Sequence, residues 1–234
     1  MKLGILQCDS VLEEYQPSFG NYPQMFVDLF KRVDPKIETQ IYNVQFGEYP
    51  SSIHHCDAYV TTGSKASVYE DLDWLNQFKQ FIIKLHDNKI KLAAICFGHQ
   101  LIAEIFGGKT EKSDKGWGVG VSVNQIIKHK PWMQPPLDEL NIIVSHQDQV
   151  ITLPKGAELL GTSDFCPNYL YQLDNLILSI QGHPEFSKAY SEALMKHRID
   201  RIGKNTLELG IQSLDLETHE KEFIDWILHF FRQR

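Results

Sequence analysis

The stretch "LAAICFGHQLIAEIFGG" (residues 92–108) places one cysteine where a strand pattern changes into a helix pattern. Residues 90–95 are almost all apolar, which is typical of a strand buried on both faces of a parallel sheet. From about residue 98, apolar residues recur at helical spacing until Gly107-Gly108 ends the predicted helix. We therefore expect Cys96 in the tight turn between the two elements, at the carboxyl end of a strand, where open α/β sheets bind ligands.

This turn has the composition of a nucleophile elbow, the strained strand-to-helix turn that presents a reactive side chain. Such a turn needs small residues two positions before and two positions after the nucleophile, and the sequence has Ala94 and Gly98 there. Backbone N–H groups at the start of the helix favour a thiolate and stabilise charge on a nearby oxyanion. A cysteine that only packs in the core is the alternative that Cys96, taken alone, leaves open.

Short apolar strands alternate with helical stretches over the first half of the chain. Strand patterns cover residues 3–7, 39–46, 58–62 and 90–95, and helix patterns cover residues 21–32 and 74–85, with Asp73 as a candidate cap of the second helix. This alternation, with near-continuous apolar strands, predicts an α/β fold. We expect a doubly wound, flavodoxin-like, mostly parallel sheet with helices on both faces.

The second half of the chain changes character. Segments at residues 119–123, 141–144, 169–173 and 176–180 predict antiparallel additions to the sheet. Two or three helices are expected from Lys188 on, and the last one carries an apolar stripe from Phe223 to Phe231. We expect this stripe to dock on the chain's own core, with pairing of two subunits as the alternative. The chain is predicted to form one domain over residues 1–234, with a helical C-terminal extension from about residue 188.

Composition argues against several classes of function. The formal net charge of −7, without a basic segment interleaved with aromatics, gives no support to nucleic-acid binding. No apolar run approaches the roughly 20 residues that span a bilayer, and the N-terminus resembles a strand rather than a signal peptide. The four cysteines lie far apart, and His54-His55-Cys56 has no recognised ligand spacing, so we expect neither a disulfide framework nor a metal site. A cytoplasmic protein that binds no membrane is predicted.

A second segment, "SIQGHPEF" (residues 179–186), supplies a candidate base at the end of another apolar strand. Pro184 biases His183 toward an extended conformation, and continued extension would point His183 and Glu185 to the same side. A carboxylate there would orient the imidazole, as the third member of a nucleophile–base–orienter set does. A solvated strand-end loop is the alternative. The acid follows the histidine in the chain, which argues against the α/β-hydrolase order of nucleophile, acid and histidine.

Cys96-Phe97-Gly98-His99-Gln100 together with Gly182-His183-Pro184-Glu185-Phe186 resembles the class I glutamine amidotransferases. Three further segments extend the resemblance over most of the chain. "TTGSKASVYE" (61–70) is similar to the family's glycine-containing oxyanion loop, "KGWGVGVSV" (115–123) to the segment after the elbow helix, and "SHQDQV" (145–150) to a strand end near the substrate.

The resemblance implies a Cys96–His183–Glu185 triad that attacks a glutamine or γ-glutamyl carbonyl and forms a γ-glutamyl thioester. It further implies an oxyanion hole from the N–H groups of Gly63 and Phe97, and no cofactor. The glutamyl group would be held by residues near the same edge of the sheet, namely Gln100, Ser145, His146 and Gln147.

The C-terminal pattern resembles free-standing members related to the amidotransferase half of GMP synthase, some of which are γ-glutamyl peptidases. Hydrolysis of glutamine or a γ-glutamyl compound is therefore the expected activity. The chain offers no phosphate-binding loop and ends too soon after Glu185 for a synthetase domain, so an ammonia-supplying subunit with a separate synthetase partner is one alternative. A homo-oligomer, a non-catalytic binding module on this fold, and a peptidase or chaperone of a related superfamily also stay open.

Overall fold

The computed structural model describes residues 1–233. Within them the strands are β1 (Lys2–Gln7), β2 (Glu38–Asn43), β3 (Ala58–Thr61), β4 (Lys91–Ile95), β5 (Lys109–Lys112), β6 (Gly118–Ile126), β7 (Glu139–His146), β8 (Asp148–Thr152), β9 (Ala157–Thr162), β10 (Leu170–Leu173) and β11 (Ile177–Ile180). The helices are α1 (Gln16–Phe19), α2 (Tyr22–Val33), α3 (Asp73–Asp87), α4 (Phe97–Ile105), α5 (Lys188–His197), α6 (Ile199–Ile202), α7 (Lys204–Ser213) and α8 (Glu220–Arg232). Short 3-10 helices cover Val44–Phe46 and Ile53–His55.

Nine strands form one sheet in the order β2-β1-β3-β4-β11-β10-β9-β6-β7. The pairings from β2 to β11 are parallel, and those from β11 to β7 are antiparallel. β5 and β8 form a separate antiparallel pair. The predicted doubly wound sheet with antiparallel additions is therefore confirmed. β11 was expected among the additions, but it closes the parallel half by pairing with β4.

Alternating side chains of the parallel strands enter two different cores. Ala93 and Ile95 of β4 face a core that α2 and α8 cover. Leu92 and Ala94 face a second core, covered by α3 and α4. Helices on both faces explain why β4 is apolar along most of its length, as expected for a doubly wound sheet.

The apolar stripe of α8 docks on the chain's own core, as predicted. Phe223, Trp226 and Phe230 have no exposed surface, and the Trp226 indole N–H donates to the carbonyl of Pro135 at 2.8 Å. Burying each of these side chains contributes about 1.5–3 kcal/mol. The stripe thus holds α8 against one face of the sheet.

The helices α5 and α7 cover the antiparallel half of the sheet. Leu194 and Met195 of α5 pack with Val121 and Ile143 of the strands beneath them. The helical segment is interrupted at Arg198 and again at Gly203, whose φ of +79° suits glycine. Four helices therefore lie between residues 188 and 233, rather than two or three. The junction of α5 and α6 lies beside the end of β7.

Two further local predictions were wrong, and three strands were missed. The strand expected over residues 39–46 ends at Asn43 and turns into a 3-10 helix, which leaves the Phe46 side chain 77% exposed. Asp73 does not cap α3, because the helix begins at that residue and Leu72 occupies the capping position. The strands β5, β8 and β9 were not predicted. No helix within residues 1–233 combines the length and apolarity that crossing a membrane requires.

Candidate active site

Cys96 lies between β4 and α4 in a conformation that few residues with a side chain adopt. Its φ is +47° and its ψ is −93°. Such a conformation costs about 1–3 kcal/mol and persists only where the surroundings hold it. Here the Cys96 N–H donates to the carbonyl of Ile180 at 2.8 Å, and the Ile95 N–H donates to Thr61 Oγ1 at 3.0 Å. The predicted elbow is therefore present, and both neighbouring strands restrain it.

Gly98 shows why the elbow needs a small residue at this position. A Cβ atom there would lie 2.1 Å from Thr61 Oγ1, far inside contact distance. The Thr61 hydroxyl cannot easily withdraw, because it also accepts the Ile95 N–H. The start of α4 thus approaches β3 closely, which only glycine allows.

His183 and Glu185 form a buried pair through a turn rather than through an extended segment. The Phe186 N–H donates to the His183 carbonyl at 3.3 Å, which closes a turn over Pro184 and Glu185. The predicted continuation of the extended strand is therefore wrong. The turn nevertheless brings Glu185 Oε1 to 2.7 Å from His183 Nδ1, with side chains only 0% and 5% exposed.

The imidazole of His183 is clamped between two surfaces. The Phe186 ring stacks on one face, with ring centres 4.0 Å apart and planes 15° from parallel. Gly63 lies against the ring edge, where a Cβ atom would be 2.7 Å from His183 Cε1. The backbone N–H of His183 also donates to the Ile143 carbonyl at 2.7 Å, which ties the segment to β7. Packing and the Glu185 carboxylate together fix the ring.

The charge state of His183 follows from its neighbours. Burial alone would lower the pKa of this imidazole. The charges of Cys96 and Glu185, and hydrogen bonds to both, outweigh burial and raise the pKa of His183 above its ordinary value. An imidazolium at neutral pH is therefore held beside the thiol, where it stabilises a thiolate.

Two backbone N–H groups border the elbow, at Gly63 and Phe97. Phe97 is the first residue of α4, whose initial N–H groups have no acceptor within the helix. Neither N–H donates to another group within residues 1–233. The loop after Gly63 is held by buried Asp9, whose Oδ2 accepts the Lys65 N–H at 2.9 Å. Both donors are thus available to a ligand, and a carboxylate fixes the loop that carries one of them.

Gln181, which the sequence patterns did not single out, contacts the cysteine directly. Its Nε2 donates to Cys96 Sγ at 3.4 Å, and its Oε1 accepts from Gln100 Nε2 at 3.1 Å. Gln100 Nε2 also donates to the carbonyl of Asp148 at 2.8 Å. A chain of amides therefore runs from Asp148 to the thiol. Gln181 directly precedes the Gly-His-Pro-Glu segment at a strand end, and that position is the signal that could have revealed it.

A pocket of about 260 Å³ gathers most of the predicted site residues. Those that line it are Gly63, Cys96, Gln100, Ser145, His146, Gln147 and His183. Glu185 lies behind His183, and the Phe97 side chain is 1% exposed and packs beside Trp74, so only its backbone borders the elbow. Other side chains that line the pocket were not predicted as site residues, and they are Tyr22, Trp117, Phe186, Leu194, Arg198 and Arg201.

Two predicted site residues at the end of β7, Ser145 and His146, already have hydrogen-bond partners within the protein. The Ser145 hydroxyl accepts a hydrogen bond from Arg198 Nη1 at 2.8 Å. The His146 Nδ1–H donates to the Asp148 carbonyl at 3.1 Å. Burial, with a further contribution from the charge of His183, lowers the pKa of His146 to about 4, so this imidazole is neutral at pH 7. Gln147 lines the pocket next to them.

Comparison with known proteins identifies the family. The family model described as "Glutamine amidotransferase class-I" matches residues 30–199. The chain belongs to the class I glutamine amidotransferase family. This membership confirms the resemblance carried by the cysteine and histidine segments, and it supports amide hydrolysis as the broad class of reaction.

The relatives of this chain include a γ-glutamyl peptidase and a subunit of a GMP synthase. Gamma-glutamyl peptidase 4 of Arabidopsis thaliana is 33% identical over 230 residues, which cover 93% of this chain and 89% of that protein. One of the subunits of the glutamine-hydrolysing GMP synthase from Methanosphaera stadtmanae is 33% identical over 115 residues, which cover 49% of this chain and 60% of that protein. A crystal structure of a glutamine amidotransferase from Thermotoga maritima has the same fold, with a TM-score of 0.76, 18% identity, and coverage of 98% of this chain and 96% of that one.

Proposed function

We propose that this amidotransferase hydrolyses a γ-glutamyl amide bond with Cys96 as nucleophile, His183 as general acid and base, and Glu185 as the group that orients His183. The observation that supports this most strongly is the strained Cys96 elbow beside a buried His183–Glu185 pair. A nucleophile, a base and its orienter in hydrogen-bonding order are typical of covalent catalysis.

In the first half of the reaction, the Cys96 thiolate attacks the side-chain carbonyl carbon of the substrate. The N–H groups of Gly63 and Phe97 stabilise the oxyanion, a contribution worth about 3–4 kcal/mol per donor in studied hydrolases. The His183 imidazolium gives its proton to the departing nitrogen. The C–N bond then breaks, and ammonia or an amine leaves a γ-glutamyl thioester on Cys96.

In the second half, His183 is neutral and takes a proton from water. The resulting hydroxide attacks the thioester carbonyl, and the C–S bond breaks. Cys96 returns as thiolate and His183 as imidazolium, and glutamate is released. Glu185 accepts the Nδ1–H of the ring throughout, so Nε2 is the nitrogen that gives and takes the proton.

The glutamyl group would lie against Gln100, Ser145, His146 and Gln147. Since Gln100 Nε2 already has two protein acceptors, its Oε1 is the atom left to accept from a substrate amino group. A free-standing hydrolase is favoured over an ammonia-supplying subunit, because the relative named as a γ-glutamyl peptidase aligns over 93% of this chain and the GMP synthase subunit over 49%.

The test is turnover by the purified chain. Protein would be incubated with L-glutamine and with a panel of γ-glutamyl amino acids, and release of ammonia or amine would be followed. Cys96→Ala is the inactivated variant. Cys56→Ala is the matched control, because Cys56 is equally buried but precedes β3, at the opposite end of the sheet. Turnover that Cys56→Ala keeps and Cys96→Ala loses would support the proposal. Turnover that survives in Cys96→Ala, or is missing from the wild type with every substrate, would refute free-standing Cys96 catalysis.

A further inference from the structure

Arg198 is a half-buried cation in the pocket wall without a carboxylate partner. It lies at the junction of α5 and α6, and one hydrogen bond joins its Nη1 to Ser145 Oγ at 2.8 Å. No acidic group lies within ion-pair distance of it among residues 1–233. A guanidinium has five N–H donors, and an uncompensated charge away from water is costly. Free donors that line a pocket therefore suit an anionic ligand.

A second guanidinium and an aromatic ring complete this part of the wall. Arg201 lies one helical turn along, and both guanidinium groups lie over the Trp117 ring, at 5.7 Å for Arg198 and 5.2 Å for Arg201. Trp117 lines the pocket as well as packing against the core beneath α5. The three side chains form one positively charged surface, called the Arg–Trp wall below.

The pocket as a whole is positive although the chain is negative. Its lining contains four cations, Lys65, Lys112, Arg198 and Arg201, of which Lys65 pairs with Asp9 at 3.4 Å, whereas Asp148 is its one acidic side chain among the described residues. The Asp148 carboxylate already accepts from the hydroxyls of Ser67 and Tyr69, at 3.0 and 2.9 Å. The formal net charge of the chain is −7. A local excess of positive charge on an acidic protein indicates a negatively charged substrate.

The position of His183 decides which part of the substrate meets the Arg–Trp wall. His183 must reach the departing nitrogen, so the amine side of the substrate lies over His183. The Phe186 ring stacks on His183, and the Tyr22 ring stacks on Phe186 with ring centres 5.9 Å apart. Both aromatic residues line the pocket together with Leu194 of α5. An apolar surface thus lies beside the base and lines the same pocket as the two arginines.

We propose that the Arg–Trp wall, with Arg198 as its principal donor, binds the free carboxylate of the amine portion of the substrate. The substrate class is then a γ-glutamyl amino acid or short γ-glutamyl peptide with an unblocked C-terminus. This assignment rests on the proposed hydrolysis of γ-glutamyl bonds. It makes Arg198 a specificity-determining residue that discriminates between leaving groups.

The experiment compares two substrates that differ only in this carboxylate, γ-glutamylalanine and γ-glutamylalanine amide. The expected kcat/KM of the wild type is about 10- to 100-fold higher for the free acid, the range for a hydrogen bond between charged groups. Arg198→Gln should bring the ratio close to one, mainly through KM for the acid. Lys196→Gln is the matched control, because Lys196 is exposed in the last turn of α5, two residues before Arg198, and pairs with Glu192. Its ratio should equal that of the wild type.

The ratio cancels any loss of folded protein, because a misfolded fraction lowers both rates equally. A ratio that stays at the wild-type value in Arg198→Gln would overturn the proposal, as would a wild type that prefers the amide. Absence of turnover with both substrates in the wild type would refute the proposed function instead. Calorimetric binding of both compounds to Cys96→Ala then tests the wall separately. Binding that is tighter for the free acid than for the amide, and that loses this preference on Arg198→Gln, would support the proposed role of the Arg–Trp wall. Equal binding of the two compounds, or no binding of either, would overturn it.

Discussion

The Thr61 hydroxyl occupies the space that a side chain at position 98 would need, with 2.1 Å between Oγ1 and the Cβ position of Gly98. The same hydroxyl accepts the N–H of Ile95, the residue before Cys96. One threonine on β3 therefore restrains both sides of the elbow and determines where the thiol points.

Gly98→Ala should destabilise the protein by about 1–3 kcal/mol, the usual cost of an added methyl in a packed site. It should also lower activity, because α4 must move away from β3. Urea unfolding of Gly98→Ala, Thr61→Ala and the double variant measures the coupling. The clash predicts that Gly98→Ala costs less in the Thr61→Ala background than in the wild type. Strictly additive costs would show that the two residues do not compete for space.

Cys96 should be the one thiol that iodoacetamide modifies quickly at pH 7. Burial raises the pKa of Cys8 and of Cys56, and it raises the pKa of Cys166 to about 12. Cys96 instead lines the pocket beside the His183 imidazolium. Peptide mass spectrometry after a short exposure identifies the modified residue. Equal modification of all four cysteines in the folded protein would contradict the proposed site.

Gln181→Met should slow turnover about tenfold or more, because it removes the N–H that reaches Cys96 Sγ while keeping a similar volume. A hydrogen bond to a charged group is worth about 1.5–3 kcal/mol. The effect should appear in kcat and in the iodoacetamide rate rather than in KM. The matched control is Gln172→Met, a buried glutamine bonded to Trp132 in the antiparallel half of the sheet. A normal iodoacetamide rate in Gln181→Met would refute a direct role at the sulfur.

Acid should destabilise the fold through two buried neutral histidines. Burial, helped by the charge of His146, lowers the pKa of His99 to about 3, and burial lowers the pKa of His146 to about 4. An unfolded histidine titrates near 6.5. Because the folded pKa values are depressed, their stabilisation is complete above about pH 6.5 and is lost as the pH falls toward 4.

Urea unfolding between pH 7 and 4 measures this dependence. His99→Gln should be less stable at pH 7 but show a shallower decline in unfolding free energy on acidification. Ser179→Ala is the comparison, since it removes the 2.8 Å partner of His99 Nδ1 but keeps the titrating ring. Its decline should stay steep. Parallel curves for the wild type and His99→Gln would contradict the assignment of acid sensitivity to His99.

The sequence predicted the elbow and the parallel half of the sheet because both depend on local patterns. The apolar strand before Cys96 and the helical spacing after it need no knowledge of distant residues. β5, in contrast, has one buried residue, Thr110, and therefore lacks the alternation that marks a strand. The sequence analysis predicted the contact between His183 and Glu185 but assigned an extended conformation to the segment that joins them. Pro184 restricts the conformation of His183 before it, but it does not determine the turn that follows.

The Arg–Trp wall had no signal in the sequence. Arg198 lies in a helical segment with several other charged residues, and nothing local separates it from Lys196 two positions earlier. The difference arises only when α5 and α6 pack beside β7, where Lys196 meets Glu192 and solvent but Arg198 meets Ser145, Trp117 and the pocket. Whether a charged residue has an ion-pair partner depends on which elements pack beside it, and the sequence does not show this for Arg198.

The most direct test of the central claim is acid quenching of the enzyme during turnover of a γ-glutamyl substrate, followed by peptide mass spectrometry. The account predicts a γ-glutamyl adduct on Cys96 of the wild type and none on Cys96→Ala. Adduct should accumulate further in His183→Gln, if that variant still reacts, because its second step lacks a base. Sustained hydrolysis without any adduct on Cys96, or an adduct on another residue, would contradict the account.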